Sequence, residues 1–133
     1  MSDAARPRAL VVAHGDLAAG LVSGVEAIAG RASAFVALSN RGLAPDGIER
    51  AIRETVDGLG VEVVFTDLPM GSCAMAARKV QRLHPTLLVV TGVNLATLLD
   101  FAMADAMPPR EAAQRAAVRG RDALAPVERP RER

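Results

Sequence analysis

The stretch Ala9-Leu10-Val11-Val12-Ala13-His14-Gly15-Asp16 constrains this chain most. Five apolar residues in a row, without polar alternation, suit a strand covered on both faces, as in a parallel sheet. The chain then passes through a histidine and a glycine into Leu17 to Ala29, where Leu17, Leu21, Val25 and Ile28 recur at helical spacing and Gly30 supplies a stop. A buried strand that turns directly into a helix is the first half of a βαβ unit. In open sheets of such units, ligands and chemistry collect at the carboxyl ends of the strands, which is where His14 stands.

The same alternation runs through the chain. Strands are predicted over 8–13, 34–38, 61–66 and 86–91, and helices over 17–29, 46–58, 72–83 and 95–106, with a last helix opening at Pro108-Pro109 and carrying Ala112, Ala116, Ala117, Val118 and Leu124. Ile48, Ile52, Val56 and Leu59 mark the inner face of the second helix, and Pro45 suits its first turn. Ser72 is a candidate N-cap for the third helix, and His84-Pro85 ends it. Residues 1–7 read as a loose lead-in, and the charged, proline-broken segment 126–133 as a disordered tail. The expectation is one domain over 1–125. Its class is α/β, a doubly wound and mainly parallel four-stranded sheet with helices on both faces and room for an additional edge strand. Assuming the flavodoxin-like order 2-1-3-4, the loops at His14, at Asp67 to Ser72 and at Gly92 to Asn94 share one rim.

Composition excludes several classes. The net charge is +1 and there is no Trp or Tyr, so neither a concentrated basic surface nor stacking rings are available for nucleic acid. Cys73 is the single cysteine, which rules out an internal disulfide and suits a reducing compartment. The first residues lack the apolar core of a signal peptide and no apolar run approaches the roughly 20 residues that span a bilayer. A cytoplasmic location is expected.

The rim assembles an imidazole (His14), a carboxylate (Asp67), a hydroxyl (Ser72), glycines and two helix starts. A carboxylate beside an imidazole fixes one ring nitrogen as a donor and frees the other as a nucleophile at neutral pH. Amides at helix starts stabilise a phosphoryl group arriving there. Each residue also has a plainer reading: Asp67 as a loop residue or cap, Ser72 as a cap alone, Gly92 and Asn94 as turn and cap residues that shape the rim. Asp16 reads as the start of the first helix, Arg41 as a solvated side chain, Cys73 as an inert buried thiol, and His84 as a surface group at a helix C-terminus.

Val12-Ala13-His14-Gly15, Phe65-Thr66-Asp67-Leu68-Pro69-Met70-Gly71-Ser72 and Thr91-Gly92-Val93-Asn94-Leu95 resemble, in order, the three signature loops of the mannose-type enzyme IIA of the bacterial sugar phosphotransferase system. The resemblance covers Arg8 to about Leu124. It implies a phosphotransferase in which His14 accepts a phosphoryl group from the phosphocarrier HPr and passes it to a IIB component. Asp67 would bond the other ring nitrogen, and Gly15, Gly71 and Ser72 would hold the phosphate. It further implies a homodimer that reaches the membrane only through transporter components, and it calls for no cofactor or metal. Two positions depart from the pattern: Met70-Gly71-Ser72-Cys73 stands where two glycines and Ser/Thr-Pro are usual, and Asn94-Leu95-Ala96 lacks a proline common there.

Two further roles fit the same fold and histidine: the phosphotransfer subunit of a dihydroxyacetone kinase, and a standalone regulator read out by phosphorylation-dependent binding. A small sirohydrochlorin chelatase, which also places His-Gly at a strand end, fits less well. Its pattern continues with Ser-Arg where this chain has Asp16-Leu17, and the rim offers no second histidine to share a metal.

Overall fold

The computed structural model describes residues 6–131. The lead-in expected over 1–7 and the tail expected over 126–133 therefore fall partly outside the described residues. Within them, 124–131 carry neither helix nor strand and are exposed.

Four strands, β1 (Ala9–Ala13), β2 (Phe35–Ser39), β3 (Val63–Thr66) and β4 (Leu88–Val90), form one parallel sheet in the order β2-β1-β3-β4. The additional edge strand has no counterpart among the described residues. Helices α1 (Leu17–Ala29), α2 (Pro45–Leu59), α3 (Ser72–Leu83), α4 (Leu95–Met103) and α5 (Pro109–Ala123) complete the α/β fold. A short 3-10 turn, Ala32–Ala34, feeds β2.

The uninterrupted apolar run of β1 has the burial its composition demands, since all five of its residues are buried. Alternate residues serve opposite layers. Ala9, Val11 and Ala13 join Phe35, Phe65 and the inner faces of α1, α4 and α5, while Leu10, Val12 and Val64 pack on Ile48, Ile52 and Val56 of α2 and on Cys73, Ala77 and Val80 of α3. Phe65 and Phe101 meet edge to face at 5.1 Å, adding to the burial of two large rings in the first layer. Helix α5 lies close to α4 because Gly120 has no side chain: a Cβ there would stand 1.8 Å from Thr97 Oγ1.

Helix α1 keeps Leu21 and Val25 of its expected inner face against the core, and departs from it at both ends. Its buried residues are Ala18 and Val25, whereas Leu17 and Ile28, both assigned to the inner face, are exposed. The helix is apolar on most sides, so spacing alone did not single out the face that the small residues Ala18 and Gly24 bring close to the sheet and to Leu95. Leu59 of α2 and Val118 of α5 are likewise exposed, one at a helix end and the other on the outer face.

Register sets the rim. Val12 pairs with Thr66 of β3, and Ala13 with Ser39 of β2. The residues that follow each strand, His14, Asn40 and Asp67, therefore emerge side by side.

Candidate functional site

His14 leaves β1 with its backbone and its ring tied to one atom. Asp67 Oδ2 accepts from the His14 backbone N–H at 3.0 Å and lies 2.8 Å from His14 Nδ1. Asp67 emerges from β3 already positioned, because Thr66 is buried and its hydroxyl donates to the Leu68 carbonyl at 3.1 Å, shaping the turn. The Asp67 side chain is 7% exposed and that of His14 42%, so the pair has a buried anchor and an open ring. Burial by itself would raise the Asp67 carboxyl. The His14 backbone N–H, its ring and their favourable charge interaction outweigh burial and hold the group below the ordinary carboxylate value. Asp67 is therefore ionised near neutral pH, and a carboxylate only accepts, so Nδ1 carries the ring proton.

That tautomer leaves a lone pair on Nε2. Ser72 Oγ lies 3.3 Å from it and is placed to donate to it. The structure alters the expected role of Ser72: Gly71, not Ser72, occupies the N-cap position of α3, and no side chain caps that helix. Gly71 adopts φ 104°, a conformation that favours glycine, and a Cβ there would sit 3.8 Å from His14 Cε1. The first intrahelical bond is donated by Met75 N–H to the Gly71 carbonyl at 2.9 Å. The amides of Ser72, Cys73 and Ala74 precede it and have no acceptor within the helix.

Gly15 turns the chain with φ 60° and is clasped from β2 by residues the sequence reading did not assign to the site. Its N–H donates to Asn40 Oδ1 at 3.0 Å, and its carbonyl accepts from Ser39 Oγ at 2.7 Å. The available signal was the polar tetrapeptide Ser39-Asn40-Arg41-Gly42 at the end of the strand that neighbours β1 in the assumed order. Asp16 holds the N-cap position of α1 but makes no side-chain cap; its carboxylate pairs with Arg41 at 2.7 Å instead.

The fourth-strand loop approaches the rim without reaching the ring. Gly92, at φ 69°, faces Pro69, and Val93 N–H donates to the Thr66 carbonyl at 3.1 Å. Asn94 caps α4 in a reciprocal box with Thr97 and donates to the Gly120 carbonyl at 2.9 Å, so its side chain is used in holding α4 and α5. Cys73, in the first turn of α3, is buried with Sγ 3.9 Å from His14 Nδ1. Burial pushes its thiol up and the Asp67 charge pushes the same way, so it is a poor nucleophile. His14, Asp67 and Cys73 nevertheless present three ligand-type atoms within 4.8 Å of one another, a grouping absent from the sequence expectation of no metal.

His84, at the other end of α3, forms a separate pair. Its Nε2 lies 2.7 Å from Asp57 Oδ1 of α2 and its Nδ1 3.1 Å from the Val80 carbonyl.

Residues 8–118 match the family model described as the fructose IIA component of the phosphotransferase system, EIIA-man. No curated protein matches the sequence significantly. Among solved structures, the fold is similar to that of the mannose/sorbose-specific IIA subunit of the phosphotransferase system from Enterococcus faecalis, with TM-score 0.81 and 23% identity over 96% of this chain and 99% of that one. It is also similar to a phosphotransferase system EIIA component from Streptococcus agalactiae (TM-score 0.79, 19% identity, 90% and 95% coverage). A third similar structure is the IIA protein associated with the fucose utilization operon of Streptococcus pneumoniae (TM-score 0.70, 21% identity, 91% and 93% coverage). No helix among the described residues is long and apolar enough to cross a membrane.

Proposed function

The chain belongs to the mannose-type family of phosphotransferase-system IIA components, and we propose that it acts as a phosphohistidine carrier, taking a phosphoryl group from HPr onto His14 Nε2 and passing it to a IIB component. The observation that carries this reading is the asymmetry of the His14 ring. Nδ1 is bound to a buried, ionised Asp67, while Nε2 faces Ser72 at an exposed rim.

The transfer balances without a cofactor. The Nε2 lone pair of neutral His14 attacks phosphorus, and the bond from phosphorus to the donor's ring nitrogen breaks, its electron pair returning to the donor. The product ring keeps its proton on Nδ1 and is positively charged, which the Asp67 carboxylate offsets across 2.8 Å. Asp67 thus positions the ring and stabilises its charge, and His14 alone is catalytic. Ser72 O–H turns from Nε2 to a phosphoryl oxygen, and the free amides at the start of α3 supply further donors. Such a transfer rests on in-line placement and charge stabilisation, which a small rim of fixed groups provides.

A protein donor and acceptor suit the surroundings of the ring. Leu17, Leu68, Met70 and Met75 are exposed on α1, on the β3 loop and on α3, and Met70 is 78% exposed. Exposed apolar side chains gathered on one face mark a surface suited to docking a protein partner.

The test is incubation with phosphoenolpyruvate, enzyme I and HPr, followed by intact mass measurement. The wild type gains one acid-labile phosphoryl group and His14→Ala gains none. Stable phosphorylation of the alanine variant overturns the assignment.

A further inference from the structure

We propose that His14 Nδ1, the Asp67 carboxylate and Cys73 Sγ form a binding site for a divalent transition-metal ion of the zinc type, and that ion binding and phosphorylation of His14 exclude one another. The first part stands on geometry. The second rests on the carrier function proposed above.

Three chain segments supply the ligands: the end of β1, the end of β3 and the first turn of α3. Their ligand atoms lie within 4.8 Å of one another. One imidazole nitrogen, one carboxylate oxygen and one thiolate form a mixed donor set that suits zinc and its neighbours and not magnesium or calcium, which take oxygen. The thiolate and carboxylate together neutralise a doubly charged ion.

Separations are close to what such an ion requires. Tetrahedral coordination at ordinary Zn–N, Zn–O and Zn–S lengths puts nitrogen and oxygen about 3.3 Å apart and nitrogen and sulfur about 3.6 Å apart. The ring nitrogen now lies 2.8 Å from Asp67 Oδ2 and 3.9 Å from Cys73 Sγ, each within about half an ångström of those values, and the carboxylate and sulfur lie within 4.8 Å of each other.

A second observation points to a ligand independently of the cysteine. The Asp67 side chain is more than nine-tenths buried, and its Oδ1 is without a hydrogen-bond partner among the described residues. A buried carboxylate oxygen left without a partner is costly. An ion held by both carboxylate oxygens resolves that cost: Oδ2, which keeps the His14 backbone N–H, is the nearer ligand, and Oδ1 gains a partner. The fourth coordination position is left to water, as at zinc sites with three protein ligands.

Binding balances as follows. The thiol proton leaves to solvent, and the proton on His14 Nδ1 is replaced by one on Nε2, so one proton is released per ion. A protonated Nε2 has no lone pair and cannot attack phosphorus. Conversely, a ring phosphorylated on Nε2 keeps its proton on Nδ1 and offers no lone pair to a metal. The two occupants require opposite tautomers of one imidazole.

The experiment uses the full chain, reduced and free of metal. It is titrated with cobalt(II) alone and then challenged with zinc. The expected result is a saturable one-to-one thiolate-to-cobalt charge-transfer band that zinc bleaches, and no such band in Cys73→Ala. Wild type and Cys73→Ala are then mixed with purified phospho-HPr, with and without zinc. Without metal both are labelled alike. With zinc the wild type is labelled at least about tenfold more slowly, and the variant is unaffected. Lack of a thiolate-to-cobalt band in the folded wild type overturns the site. A normal band with zinc-insensitive labelling overturns mutual exclusion. Cobalt binding by a wild type that accepts no phosphoryl group even without metal overturns the carrier reading and leaves the ion site standing.

Discussion

Two histidine–aspartate pairs lie at opposite ends of α3, with nearly equal contact lengths of 2.8 Å for His14–Asp67 and 2.7 Å for His84–Asp57. They differ in which partner is buried and in what the second ring nitrogen meets. In the rim pair the aspartate is buried and the second nitrogen faces a hydroxyl and solvent. In the other pair the aspartate is exposed and the second nitrogen faces the Val80 carbonyl, which can only accept. A ring between two acceptors favours the protonated cation, and the Asp57 and Val80 contacts raise the His84 pKa accordingly. His84 is therefore spent as a clasp between α2 and α3. His14 has one nitrogen bound to Asp67 and the other in reserve at the rim. The residue types are the same, and the environment decides which pair can do chemistry.

The largest effect expected from breaking this contrast is on the histidines themselves. His14→Gln reduces phosphoryl labelling by HPr to background, and His84→Gln leaves it unchanged, both read by intact mass. Next comes Asp67→Asn. An amide oxygen at the Oδ2 position still accepts both His14 donors, but the amide nitrogen falls where Oδ1 is buried without a partner, and the charge that offsets the phosphorylated ring is lost. Transfer slows by about 10²-fold in rapid-quench measurements. Unchanged rates in both directions would remove Asp67 from the mechanism. Ser72→Ala removes one neutral hydrogen bond and slows transfer by about tenfold, with no loss of helix stability, since Ser72 caps nothing. Equal loss of thermal stability and transfer would instead mark it as structural.

The smallest effect is on stability, and the two pairs should fail in opposite directions of pH change. His84 is raised above 6.5 in the folded state, so its contribution is fully present below 6.5 and disappears as pH rises through the raised value. Asp67 is held below 3.8, so its contribution is present above 3.8 and disappears as pH falls through the lowered value. Melting temperatures measured across pH should lose their near-neutral slope in His84→Gln and part of their acid limb in Asp67→Asn. A slope at neutral pH that survives in His84→Gln assigns it elsewhere.

Most of the architecture was legible because it rests on patterns that sequence carries directly. Fully apolar strands such as Ala9–Ala13 announce coverage on both faces, and the glycines and prolines punctuate the helices. Juxtaposition was less legible. His14, Asp67 and Ser72 could be placed on one rim only by assuming a strand order, which the sheet bears out. The clasp of Ser39 and Asn40 on Gly15 depends on side-chain direction after β2, and the unpaired Asp67 Oδ1 on what fails to reach it; neither has a signature in residue spacing. Leu17 and Ile28 were misplaced on the inner face of α1 for a related reason. A helix apolar on most sides has no single stripe, and the small residues that let it approach its neighbours carry little weight in a hydrophobic pattern.

The central claim is that Asp67 fixes the His14 tautomer so that Nε2 is the phosphoryl acceptor. It is tested most directly by NMR on protein labelled with 15N in its histidine rings and phosphorylated through HPr. The account predicts phosphorus–nitrogen coupling to His14 Nε2, with Nδ1 still protonated and hydrogen-bonded. Coupling to His14 Nδ1, or to either nitrogen of His84, would contradict it.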